Sequence, residues 1–263
     1  MRIAGPRFLL AAFLAVFCLA PFHPLKAQAV SAPAWDMKLG LSYLATSGNA
    51  ETSSTGFDAA FNRAGRSWAV EGSAAGVSAT RRSRRTAESY NAQARAKRRL
   101  RKRLQLTLGL RWERNRFAGL DERRAADVSL LWEVRETPAW KLRALSGLSL
   151  NREDPRDPRD ARGPRTVRPD ADSFGGLLQL SGDARVSPTA SWDGQLTYFP
   201  SFDDSNDYRL HGHVGLQAAL SRHVGLRLGY DLRFDNEPVP GFGTTDTSTT
   251  AALVLQLGGK ALP

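Results

Sequence analysis

The chain has 263 residues, 41% of them apolar, a formal charge of +11 and a single cysteine, Cys18. One cysteine excludes a disulfide framework. No apolar run beyond the first thirty or so residues is long enough for a membrane helix, so the rest either dissolves or crosses a membrane as strands.

Residues 1–29 read as a secretory signal. Arg2 and Arg7 form a charged start, Phe8 to Ala20 is a short apolar run, and Ala27-Gln28-Ala29 is a small-x-small cleavage site. Losing Arg2, Arg7 and Lys26 lowers the formal charge from +11 to +8 and removes Cys18. An exported, basic chain without a nucleic-acid motif favours anionic partners, whether lipopolysaccharide, phospholipid headgroups or acidic solutes, and not nucleic acid.

From residue 30 the dominant signal is a period of two. Trp35, Met37, Leu39, Leu41 and Tyr43 share one face of a strand over Trp35 to Thr46, and TSGNAET follows as a loop. A strand at about Thr52 to Asn62 turns outward Phe57, Ala59 and Phe61. A Gly/Ala-rich strand starts at Trp68, TRRSRRTAE reads as a polar loop, and a weak strand runs from Glu88 to Lys97. KRRLRKR at 97–103 reads as a basic turn near lipid headgroups.

Leu104 to Trp112 alternate strongly, as do Ala126 to Val134 and Trp140 to Leu150. The stretch from Asn151 to Asp172, with its DPR-DPR-DAR repeat, is expected to be an unstructured loop, because proline does not fit a ladder strand. Strands follow from Phe174 to Val186, from Trp192 through Tyr198, and from Tyr208 to Leu220. The final hairpin sets Val224, Leu226, Leu228, Tyr230, Leu232 and Phe234 on one face, then Thr249, Ala251, Leu253, Leu255 and Leu257. Residues 258–263 are expected to carry no fixed structure.

The fold class expected is all-β: a closed antiparallel transmembrane β-barrel of about twelve strands over 30–263, with N- and C-termini periplasmic. Connections after even-numbered strands are short, and those after odd-numbered strands longer. Trp35, Trp68, Trp132, Trp140 and Trp192 all fall at the short-turn ends, as an interfacial girdle would, and only Trp112 does not. Outward positions on the tenth and eleventh strands are all even-numbered. A three-residue turn Ser221-Arg222-His223 then pairs Leu220 with Val224, Val214 with Tyr230, Arg209 with Asp235 and His213 with Asp231.

TSGNAET and LGYDLRFDNEPVPGFGTTDTSTTAALVLQL, with Tyr230, Asn236, Pro238, Gly241, Thr245, Asp246 and Thr247, resemble the YdiY-like family of salt-induced outer-membrane proteins. The resemblance implies an outer-membrane location and supplies no reaction or ligand. The last strand is similar to an outer-membrane assembly signal read by the barrel-assembly machinery, through Thr250, Ala252, Leu255 and Leu257. Leu257 stands where an aromatic residue is usual, and GGKALP continues past it.

Candidate chemistry is sparse. His211 and His213 share a strand face, but zinc needs further ligands that the spacing does not supply. Asp203, Asp204 and Asp207 could hold a cation, although turn-capping is the commoner role. The function expected is that of a structural barrel or a narrow, plugged passive-permeability barrel; the same carboxylates with His211 loosely imitate a hydrolase site at the outer rim, which is the alternative. No metal, cofactor or enzymatic activity is expected, and the chain is expected to be a monomer. The inward charges Arg209, His213, Arg227, Asp231, Arg233 and Asp235, with Arg111, Glu113, Asp127, Glu133, Lys141, Arg143, Asp183 and Arg185, are candidates for ion pairs that fill the lumen. Little conductance is expected, with a weak anion preference from the excess arginine.

Overall fold

The computed structural model describes residues 35–46, 52–65, 67–81, 84–116, 118–155, 171–239 and 241–258. The expected signal at 1–29 lies outside them. Among the described residues, twelve strands follow in order: β1 (Trp35–Thr46), β2 (Thr52–Ala64), β3 (Trp68–Arg81), β4 (Arg84–Arg101), β5 (Leu104–Asn115), β6 (Leu120–Glu136), β7 (Trp140–Pro155), β8 (Ala171–Arg185), β9 (Ala190–Pro200), β10 (Tyr208–Ala219), β11 (Val224–Asp235) and β12 (Thr245–Gly258). Every strand pairs with its sequence neighbours, and β1 closes antiparallel on β12, so the sheet is a complete ring. Closure satisfies backbone groups that would otherwise lie bare in hydrocarbon.

Alternation decides which residues face out. Leu41, Tyr43, Leu110, Leu150, Phe174, Leu216, Leu228, Tyr230 and Leu253 are all exposed on the outer surface. An apolar band this large is untenable in water and is what a lipid-facing wall requires. Trp68 and Trp132 are also exposed at the end of the barrel where β1 begins and β12 ends, and there the Trp140 and Trp192 rings meet edge to face at 5.7 Å. That end, the turn end, carries the connections 65–67, 102–103, 137–139, 186–189 and 220–223; the opposite loop end carries 201–207 and 236–244.

The β10–β11 register agrees with the sequence reading. Val214 pairs with Tyr230, His213 with Asp231 and Arg209 with Asp235. The Leu220 amide donates to the Val224 carbonyl at 2.9 Å. The barrel seam is less complete. β1 and β2 pair from Trp35↔Arg63 to Thr46↔Thr52, whereas the β1–β12 ladder runs only from Asp36↔Gly258 to Leu41↔Leu253.

Three loop expectations are corrected. TRRSRRTAE is mostly ladder: β3 continues to Arg81 and β4 begins at Arg84, with a register shift at Ala79/Thr80. The basic turn shrinks to Lys102-Arg103, because β4 runs to Arg101 across a bulge between Arg99 and Arg101. The loop 151–172 is strand at both ends, where Asn151, Arg152 and Glu153 pair with Ser173, Asp172 and Ala171. Pro155 is the last residue of β7 and partners Leu120, a place where a missing amide costs little. β6 likewise begins at Leu120, before its apolar alternation does. In each case the strand outlasts its apolar pattern. Above and below the lipid band both faces are wetted, so the alternation that marks a strand disappears while the hydrogen-bond ladder continues. Gly258 belongs to β12; 259–263, like 156–170, lie outside the described residues.

Candidate functional site

The lumen holds the chemistry. All six predicted lumen residues face inward from β10 and β11, and they fall into two clusters. Arg209, Arg233 and Asp235 join a network at the loop end. Arg233 pairs with Glu113 on β5, and Arg209 with Glu153 on β7. Arg123 on β6 donates from Nε to Glu153 at 2.7 Å and lies 3.6 Å from Glu113 and 3.7 Å from Asp235. In the ring, β5 and β11 stand diametrically opposite, so the Glu113–Arg233 pair is a chord across the lumen.

His213, Arg227 and Asp231 form the second cluster with Asp193. His213 Nδ1 is 2.8 Å from Asp231, its Nε2 is 3.2 Å from Asp193, and Arg227 donates to Asp193 at 2.8 Å. Gly215 lies beneath this group. A Cβ added there would sit 2.7 Å from the Arg227 guanidinium and 2.9 Å from the Asp193 carboxylate.

The charges are not distributed evenly around the ring. On the β6–β10 side of the chord the inner face is packed. Leu131, Leu145, Leu177 and Phe199 form a buried apolar cluster on four successive strands. Thr107, Ser129, Ser149, Thr197, Arg209 and Gln217 are buried around it. Arg111 places its guanidinium 4.5 Å over the Phe199 ring, donates to Ser149 at 3.0 Å and lies 3.6 Å from Asp127. His211 meets the Phe199 ring edge at 5.1 Å. A cavity of about 140 Å³ remains between this half and β4, lined by Gln179, Gln195, Thr197 and His211 on one side and by Gln93 and Arg95 on the other.

The apolar cluster was not anticipated, though a signal existed. Leu130-Leu131, Ala144-Leu145, Leu177-Leu178 and Tyr198-Phe199 are apolar doublets inside alternating strands. Each doublet must send one apolar side chain to the inner face. Glu113 and Arg233 were both placed inward by their positions, but not as partners. Arg123 and Glu153 fell outside the predicted strands altogether.

The rim carboxylates act on backbone. Asp203 accepts from the Phe174 amide at 2.7 Å and Asp204 from the Asn206 amide at 2.9 Å, while Ser201 accepts from the Asp203 and Asp204 amides at 3.3 and 3.4 Å. These are turn caps. Burial pushes the Asp207 carboxyl above its ordinary range; Arg209 opposes the rise, and Glu153 and Asp235 add to it. His211 sits in the lumen against Phe199. Among the described residues, no group of three or more His, Cys, Asp or Glu is placed to hold a metal ion.

The assembly-signal residues divide between the two faces of β12. Leu255 and Leu257 are exposed outward and pair with Leu39 and Met37, while Thr250 and Ala252 lie opposite Gly229 and Arg227.

The model of the family described as "Protein of unknown function, DUF481" matches residues 39–257. The chain belongs to this family. DUF481 is the YdiY-like salt-induced outer-membrane protein family, and the chain is an outer-membrane β-barrel without an assigned role. No curated protein matches it. Solved structures similar to this DUF481 barrel include the NanC porin, at 12% identity and a TM-score of 0.46, covering 86% of this chain and 100% of that one. An outer-membrane channel from Pseudomonas putida F1 is 11% identical at a TM-score of 0.46, covering 90% and 100%. The translocator domain of the autotransporter NalP from Neisseria meningitidis is 10% identical at 0.43, covering 95% and 94%.

Proposed function

We propose that this protein is a passive, narrow permeability barrel of the bacterial outer membrane, with its chain termini in the periplasm and the loop end outside. The carrying observation is the Glu113–Arg233 chord between opposite strands, backed by the Arg123–Glu153–Arg209 network. Ion pairs across a lumen fix its width, because neither charge can leave its partner without an uncompensated desolvation cost. The orientation rests on the tryptophans and short turns gathered at the end where β1 begins and β12 ends, the arrangement of periplasmic turns in bacterial barrels. The exposed apolar wall calls for lipid and lipopolysaccharide around it, and a single closed ring suits a monomer. β12, which closes the ring, would be the strand the assembly machinery handles.

Planar-bilayer recording on refolded protein tests this reading. Small steps, or steps at the limit of detection, are expected. Large stable open steps would overturn it, as would hydrolysis of lipid or peptide lost on Asp204→Ala.

A further inference from the structure

The chord does more than narrow the lumen; it divides it. On the far side from the packed half lie β12, β1, β2, β3 and β4. Their inward positions hold small side chains: Gly40 and Ser42 on β1, Gly56 and Ala60 on β2, Ser73 and Ala75 on β3. Ala60 pairs with Lys38 and Ser73 on the inner face and is nevertheless solvent-exposed, as are Gln93 on β4 and Ser248 and Thr250 on β12. On the chord strand β5 and on the packed half, inward residues are excluded from water: Thr107 0%, Ser149 1% and Thr197 2% exposed. The contrast is one of degree: Val254 and Gln256 on β12 are only 2% and 3% exposed, and on the packed half the Asp183 and Asp193 side chains are 43% and 36% exposed. The off-centre aqueous path is drawn where the exposed inward residues Ala60, Gln93, Ser248 and Thr250 stand across the cross-lumen ion pair from the buried Ser149 and Thr197.

We propose that small hydrophilic solutes and ions pass along the β12–β1–β2–β3–β4 wall, and that the β6–β10 half is a fixed plug. This rests on the permeability reading above and locates its route. Among the described side chains, the charges lining the route are Asp36, Lys38, Asp58, Arg95, Arg99 and Asp246, together with the Glu71–Lys97 pair. They nearly balance. Arg123, Arg209 and Arg233, which the net charge of the chain would enlist for an anion pore, are held in the chord network, and Arg111 and Arg227 are held by Asp127 and Asp193. The route therefore selects by size, with little preference for either sign of charge.

Residues 30–263 contain no cysteine, so single cysteines report position cleanly. Ala60→Cys, Ser73→Cys and Gln93→Cys, refolded in vesicles and checked by heat-modifiable migration, are compared with Thr107→Cys, Ser149→Cys and Thr197→Cys. The probe is a small charged methanethiosulfonate. The first three should react more than about tenfold faster, since the others react only on local opening. Modified Ala60→Cys should also lose its bilayer current, and Thr197→Cys should keep it, with potassium and chloride permeabilities of the unmodified barrel near equal. Equal reactivity on both sides of the chord, or a clear anion preference, would overturn the proposed route. Fast labelling at Ala60 and Gln93 with no current in any bilayer would instead overturn the permeability reading and leave the water-filled half in place.

Discussion

Arg233 on β11 and Glu113 on β5 are 120 residues apart in sequence and six strands apart around a twelve-strand ring, yet they form one ion pair. The side chains are 28% and 14% exposed, so water screens the pair only partly. Glu113→Ala leaves Arg233 and Arg123 short of a counter-charge and should cost about 3 kcal/mol, the usual order for breaking a partly buried pair. Urea unfolding in vesicles measures this, and the bilayer current should rise because the two halves of the lumen merge. The double variant Glu113→Met with Arg233→Met should regain part of the stability but keep the larger current.

Gly109 is the floor on which Asp127 rests. A Cβ at that position would lie 2.4 Å from the Asp127 carboxylate oxygen. Gly109→Ala should push the carboxylate away from Arg111 and from the Ser129 hydroxyl, which donates to it at 3.0 Å. The cost should be about 1–3 kcal/mol, as for other overpacked sites. It is read as a lower temperature for the heat-modified band. Gly243→Ala, where the added carbon meets nothing within 4 Å, should leave that temperature unchanged.

The register can be locked covalently. Leu39 faces Leu255 across the seam and Ala218 faces Leu226 in the β10–β11 ladder. Directly opposed strand positions fall within the Cα range that a disulfide spans. Leu39→Cys with Leu255→Cys should cross-link on mild oxidation and close the chain into a covalent ring. Ala218→Cys should cross-link to Leu226→Cys and not to Leu228→Cys; the reverse preference would mean a slipped strand.

Orientation has its own test. Thr244→Cys, in the 236–244 connection, should be labelled on intact cells by a membrane-impermeant maleimide. Ser187→Cys, in the 186–189 turn, should be labelled only after the cells are broken. Labelling in the opposite order would invert the barrel in the membrane.

Strand positions and the β10–β11 pairing were legible because lipid on one side and a polar lumen on the other write an uninterrupted period of two into residues such as Leu226 to Phe234. Where both sides are wet the code fades, which is why Arg81, Arg84 and Glu153 were assigned to loops although they continue their ladders. Individual inward charges were legible too, but their partners were not. Sequence parity says that Arg233 and Glu113 face inward; that they meet depends on strand tilt and closure, which relate distant strands through no spacing in the chain. The packed half was written in the doublets ending at Leu131, Leu145 and Phe199, and its open counterpart in the run of Gly, Ala and Ser on β1 to β3.

The seam has a consequence for the backbone itself. Past Leu41↔Leu253, β12 still has β11 on one side, with Thr250 opposite Gly229 and Ser248 opposite Asp231, but no ladder to β1 on the other. Amides in an antiparallel strand point alternately to its two neighbours. In deuterated buffer, every second amide between Thr245 and Ala252 should therefore trade its proton early, while those between them stay protected. A single strand would then carry two exchange clocks, one set by the open seam and the other by the unfolding of the whole ring.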